Sequence, residues 1–301
     1  MKTLPPMPET LAASLSTRAA FLTAHEQERM WHAAVTLADS RGLVLRFTAL
    51  FGRRIEAVRQ RIARSGAYVG GATWAQLIQR AEATVEDTLW HSYGLATFGL
   101  ATAPAFALRH PRGNGAHRLL TAASGAASGF IGLPGILIDI PFTTTTILRS
   151  IAQVARDEGE DITTEETRRA CLEVLAFGGP SAADDEMEIG YWATRLGSNH
   201  LSLNLLMKAA AGRFGLVLSE KLAAQAVPIA GAISGGALNY AFTEYYQNMA
   251  QVHFCLRALE RRSGEAEAVR DCFATMLSAA RDRRQILRKP ERAGNYKYLL
   301  N

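Results

Sequence analysis

Three long stretches of this chain contain no Asp, Glu, Lys, Arg or His: Ser92 to Leu108, Leu119 to Ile138, and Leu222 to Thr243. The last two run for 20 and 22 residues. A segment of that length without charge cannot persist as a solvated loop, because its apolar side chains favour leaving water and its backbone amides then need partners. It must be buried in protein or set against lipid. The chain is rich in Ala, and no window alternates β-branched with polar residues between turn signals, so the stretches read as helices. The fold class expected is all-α: a single helical domain with Gly-rich, closely packed apolar central helices.

Twenty helical residues rise about 30 Å, the thickness of a bilayer's hydrocarbon core. Composition argues against a span. Between Leu119 and Ile138 only eight residues are Leu, Ile or Phe, and Gly125, Gly129, Gly132, Gly135 and Pro134 interrupt the helix. Eight such residues supply about 2–5 kcal/mol of insertion free energy, a marginal sum. Three arrangements stay open: tightly packed core helices, a hairpin dipping into one leaflet, and a true span. The Gly125/Gly129 and Gly231/Gly235 pairs have the small-xxx-small spacing that lets helix backbones approach closely.

Charge points to a surface. The balance is 33 Lys plus Arg against 28 Asp plus Glu, a net +5, in a chain that is 48% hydrophobic and too apolar for disorder. From Arg41 to Arg64 there are seven arginines and one acid, while Leu43, Phe47, Phe51, Ile55, Val58 and Ile62 recur every three or four residues. This is an amphipathic helix with a basic face. Arg46, Arg53, Arg54 and Arg61, with Phe47 and Phe51, are the candidate lipid-binding residues, since guanidinium groups meet anionic headgroups while the apolar stripe enters the interface. An ordinary surface helix with a solvated arginine face has the same pattern. No zinc-finger spacing, RNP-type aromatic pattern or helix-turn-helix supports nucleic acid as a partner. Met1 to Ser14 has no apolar run for a signal peptide. Cys171, Cys255 and Cys272 are scattered through apolar helical patterns and read as reduced thiols. The location expected is cytoplasmic.

Helix punctuation gives the organisation. Thr73 with Gln76, and Thr163 with Glu166, have capping-box spacing, and Gly178-Gly179-Pro180 ends the helix that the second box opens. Arg109 to Gly115 crowds breakers and charge between apolar stretches. The organisation expected is an N-terminal helical region over 1–90, a helical core over 91–263, and a C-terminal helix with a basic tail over 264–301, joined as one continuous domain.

Catalytic signatures fail in turn. There is no Gly-Lys-Ser/Thr phosphate cradle, and His25-Glu26-Gln27-Glu28 is followed by Arg29, so the second imidazole of a zinc-protease helix is absent. Asp184 and Glu188 stand four apart, a spacing that also suits an acidic first helical turn. Asp139 lies between Ile138 and Ile140, where a carboxylate needs a cation, a cap or a raised pKa. Arg149 is ten residues on, with the Thr143 to Thr146 hydroxyls between. Asp139 and Glu173 are the weak catalytic candidates. No metal and no cofactor is expected.

The stretch Gly129 to Pro141 (GFIGLPGILIDIP), continuing through Leu148-Arg149, resembles the signature of the bacterial EcsC family. Glu173 to Gly178, Tyr191 to Arg195, Val227 to Ala232 with Asn239, and Ala250 to Arg257 fit it in order. The resemblance marks Gly132, Pro134, Gly135, Asp139, Pro141, Arg149, Tyr191, Arg195, Gly231 and Asn239 as signature positions and brings no catalytic assignment. The family is named for a protein encoded beside an ABC transporter. The resemblance implies a cytoplasmic or membrane-peripheral helical protein; with the Gly-rich uncharged segments and the basic amphipathic helix, the leading expectation is a non-enzymatic protein peripheral to the inner face of the cell membrane, with anionic lipid and a membrane transporter or other protein as partners. Two alternatives stay open: a hydrolase acting on a lipid or other hydrophobic substrate through Asp139 and a second carboxylate, and a soluble protein-binding scaffold.

Overall fold

The computed structural model describes residues 4–40, 74–100, 111–131, 133–177, 208, 211 and 228–288. Among the described residues all regular structure is helical. The helices are α1 (Glu9–Leu15), α2 (24–40), α3 (Trp74–Thr97), α4 (Pro111–Ile131), α5 (Leu133–Asp157), α6 (Glu165–Phe177), α7 (Pro228–Ser263) and α8 (Ala266–Arg288). Contacts gather the chain into two compact units, and α7 supplies residues 228–250 to one and 251–263 to the other.

The unit holding both chain termini contains α1, α2, the end of α7, and α8. On α8, Val269, Cys272, Phe273, Met276, Leu277 and Ala280 are buried, a stripe at helical spacing. Trp31 of α2 is fully buried and satisfies its indole by donating to Pro5 O at 3.0 Å. A capping box that sequence reading overlooked starts α2. The Glu26 carboxylate accepts from Thr23 N at 2.8 Å and from the Thr23 hydroxyl. The same carboxylate pairs with Arg262, and Arg284 of α8 donates to Ala38 O.

In the other unit α5 packs against α3, α4 and α6. Ile140, Ile147, Leu148, Ile151, Ala152, Val154 and Ala155 bury it on several sides. Gly159, at φ 85°, closes α5: its N–H reaches Arg156 O while Glu160 N–H reaches Ala155 O, the paired bonds of a Schellman end. The α6 helix begins one residue later than the Thr163 box implies. Thr164 is the cap, its hydroxyl accepting from Thr167 N at 3.2 Å, while Thr163 is held by Asp161. Its last residue is Phe177, directly before the Gly-Gly-Pro stop.

The uncharged stretch from Leu119 to Ile138 is not one helix. The α4 helix ends at Ile131 and α5 starts at Leu133, so neither uncharged piece is long enough to span. Among the described residues no helix is long and apolar enough to cross a membrane. Pro134 stands at the second position of α5 and Pro111 at the first of α4, where the missing N–H costs nothing. Gly113 and Gly115 therefore lie inside α4.

Candidate functional site: a buried polar seam

Three helices of this unit turn polar side chains inward. On α4 these are His117, Thr121, Ser124 and Ser128; on α5, Asp139, Thr143, Thr146, Ser150 and Gln153; on α7, Asn239, Thr243 and Gln247. Steps of three and four place each set on one helix face. Nearly all of them are buried. Ser128, Thr146 and Ser150 spend their hydroxyls on their own helix, donating to the carbonyls of Gly125, Phe142 and Ile147. The others bond across helices.

Asn239 is the hub. Its Nδ2 approaches Thr121 O at 2.9 Å, Asp139 Oδ2 at 3.1 Å and the Thr143 hydroxyl at 3.1 Å. Ser124 donates to the second oxygen of Asp139. The Thr121 hydroxyl meets that of Thr243 at 2.8 Å, and Thr243 in turn donates to Asn239 O at 2.8 Å. One buried network thus ties α4, α5 and α7 together. The helices are close enough for this because Gly236 of α7 lies against α4: a Cβ there would stand 3.0 Å from Ala122 O and 3.4 Å from the Ala126 Cβ. Small-residue packing is present, in a register offset from the Gly125/Gly129 and Gly231/Gly235 pairs.

At one end of the seam, Arg118 donates to Gln247 and to Glu244, each at 2.6 Å, and lies over the Tyr240 ring. His117 Nε2 bonds Gln153 Oε1 at 3.1 Å, while its Nδ1 is buried without a partner among the described residues. Burial, aided by the nearby Arg149 charge and opposed by the Gln153 bond, holds His117 below the ordinary histidine range.

Arg149 does not pair with Asp139. Ten residues along one helix separate them by about 15 Å. Instead Arg149 Nη1 donates to Ala96 O at 2.8 Å and Phe98 O at 2.9 Å, finishing the C-terminus of α3. Asp139 is not a cap either, since it lies well inside α5. Glu173 is half-buried on α6. Pro141 sits inside α5, Pro134 and Gly135 in its first turn, and Gly231 in the first turn of α7. Arg46, Arg53, Arg54, Arg61, Phe47, Phe51, Gly132, Tyr191 and Arg195 lie outside the described residues. Among the described residues no three His, Cys, Asp or Glu side chains converge to hold a metal.

The family model for the EcsC protein family matches residues 111–259. This is an EcsC family protein. The EcsC match opens on the first residue of α4 and closes within α7, so it encloses every residue of the polar seam. No curated protein and no solved structure matches the chain. Within the EcsC region, Asp139 and Asn239 meet directly. Sequence reading missed Thr121, Ser124, Thr243, Gln247 and Arg118. Their signal was available as polar residues at steps of three and four along otherwise apolar helices.

The opposite face of α4 is apolar. Ala116, Leu119, Leu120, Ala123 and Ala127 are exposed, with Leu119 67% and Leu120 51% accessible. Over residues 116–128 of this helix Thr121 and Ser128 are buried while Leu119, Leu120, Ala123 and Ala127 are exposed.

Proposed function

We propose that this EcsC protein is a non-enzymatic, peripheral protein of the cytoplasmic face of a membrane, accessory to membrane transport, and that the outward face of α4 contacts lipid. The inversion of α4 carries this reading. A helix facing water turns its polar side outward. Thr121, Ser124 and Ser128 face the core instead, while Leu119 and Leu120 face outward. Moving two such leucines from water into an acyl environment contributes about 1–2 kcal/mol each. Arg46, Arg53, Arg54 and Arg61 would add about 1 kcal/mol each beside an anionic surface. Both oxygens of Asp139 accept hydrogen bonds from Ser124 and Asn239, which supports a structural role for that carboxylate over a hydrolytic one.

Flotation of the full chain with neutral and anionic vesicles tests this. The wild type is expected to float with anionic vesicles. Leu119→Gln/Leu120→Gln is expected to float about thirtyfold less or lower still, and Arg46, Arg53, Arg54 and Arg61 changed together to Gln should remove the salt-sensitive part. A wild type that stays at the bottom of the gradient with both vesicle types overturns the reading.

A further inference from the structure

The end of α3 is finished by protein groups rather than left to water. A helix C-terminus leaves carbonyls without intrahelical donors, and at an aqueous surface solvent commonly takes them. Here Arg149 takes Ala96 O and Phe98 O, and Arg156 Nη1 donates to Leu100 O at 2.6 Å. The side chains of the same turn point outward: Leu95 is 70% exposed and Phe98 80%. Gly99, at φ 74°, turns the chain just after the ring, and a Cβ built at Gly94 or Gly99 would meet nothing within 4 Å. Leu95 and Phe98 therefore stand exposed at the tip of this turn. Arg149 serves both carbonyls through Nη1 alone, and its Nε and Nη2 have no acceptor among the described residues.

The geometry points to this turn as a phospholipid anchor: Leu95 and Phe98 enter the acyl boundary of one leaflet, and the remaining Arg149 donors take a lipid phosphate. Protein groups also finish the end of α5, but here the satisfied carbonyls lie beneath two large outward apolar side chains. An interfacial tip needs both, because unpaired carbonyls resist leaving water while Phe and Leu gain by it. The guanidinium fork matches phosphate oxygens, and its position beside Phe98 sets it at headgroup depth when the ring is inserted. This inference rests on the membrane reading but uses a surface other than the outward face of α4.

The test uses the full chain with mixed phosphatidylcholine and phosphatidylglycerol vesicles. The three native cysteines are buried, so a Phe98→Cys variant takes an environment-sensitive fluorophore at that site, with Ala83→Cys, exposed earlier on α3, as the control. On adding vesicles, the label at 98 is expected to shift to the blue and be quenched by headgroup-proximal spin-labelled lipid, whereas the label at 83 stays unchanged. Leu95→Ala/Phe98→Ala, which removes no buried packing, should lower vesicle partitioning about tenfold or more with an unchanged melting curve. Arg149→Lys, which keeps a cation for the carbonyls, should lower it severalfold. If the wild type floats while the Leu95/Phe98 variant floats equally and the label at 98 does not respond, the anchor is overturned and the α4 reading stands. Displacement of bound protein by millimolar inorganic phosphate would make Arg149 a soluble-anion site and also overturn it. A wild type that does not float overturns both.

Discussion

Asn239 of α7 donates its side-chain amide to Asp139 of α5 at 3.1 Å, although the two stand one hundred positions apart in the chain. The same amide reaches Thr121 O of α4 and the Thr143 hydroxyl, so one planar group sets the register of three helices. Removing it strands buried acceptors, each worth about 1–3 kcal/mol when left unmet. Asn239→Ala should therefore lower stability by about 2–4 kcal/mol, seen in urea as a lower midpoint at unchanged slope. Asn239→Asp places a second carboxylate beside Asp139, so its deficit should shrink as the pH is lowered and one of the two protonates.

Two glycines in helix interiors should respond in opposite directions to alanine. At Gly94 a Cβ meets nothing within 4 Å, so Gly94→Ala should gain about 0.5–1 kcal/mol from helix propensity and reduced unfolded-state entropy. At Gly236 the new carbon would stand 3.0 Å from Ala122 O, a backbone atom that yields only if α4 moves. Gly236→Ala should lose its propensity gain and about 1 kcal/mol more, and Gly236→Leu about 3 kcal/mol or more. Thermal melts of the three variants against wild type read this directly.

What the sequence makes legible here is what is local. The absence of alternating strands gives an all-α fold, and Gly178-Gly179-Pro180 places the end of α6 at Phe177. Asp139 is conspicuous because a carboxylate between isoleucines has to be satisfied by something. Which group satisfies it is a tertiary fact. Arg149 is the nearest cation in sequence, yet helix rise carries it out of reach and onto the α3 carbonyls, while Asn239 arrives from a helix a hundred residues away. The division of the uncharged stretch between α4 and α5 also resists reading from composition, because Gly125 lies inside α4 just as comfortably as a glycine at a break. The inverted face of α4 was visible in principle: Thr121, Ser124 and Ser128 share one side and Leu119, Leu120, Ala123 and Ala127 the other. Periodicity alone cannot say which side is inside.

Glu26 combines a cap with an ion pair, and the two contributions separate by mutation. Its carboxylate accepts from Thr23 N and Oγ1 and pairs with Arg262, whose side chain is half exposed. Thr23→Ala should cost about 1–2 kcal/mol, the worth of the hydroxyl's hydrogen bond to the Glu26 carboxylate. A double-mutant cycle between Glu26→Gln and Arg262→Gln should give less than about 1 kcal/mol of coupling, since the guanidinium is well solvated. Burial pushes the Glu26 carboxyl up, but the Thr23 bonds and Arg262 outweigh it and hold it below its ordinary value. This part of the stability is present near neutrality and is lost as pH falls through that lowered pKa.

Glu260 behaves in the opposite sense. It is largely buried near the end of α7, and although Arg270 Nε lies 3.4 Å from its Oε1, the Arg270 N–H is committed to Ala266 O at 3.1 Å on its own helix. Burial therefore prevails over the attraction of Arg270 and Arg257, and the carboxyl is raised from 4.5 to about 7. Between those values the folded protein keeps a proton that the unfolded chain has released, so stability falls as pH rises through this window and levels off above it. Integrated over the window, the loss is on the order of 3 kcal/mol. Glu260→Gln removes this titration, so the difference between wild-type and variant unfolding free energies should slope across pH 4.5 to 7 and be flat on either side. Urea unfolding at half-unit pH intervals measures that difference curve, in which the titrations of Glu26 and His117 cancel. A flat difference curve would place the Glu260 carboxylate in an environment as polar as water.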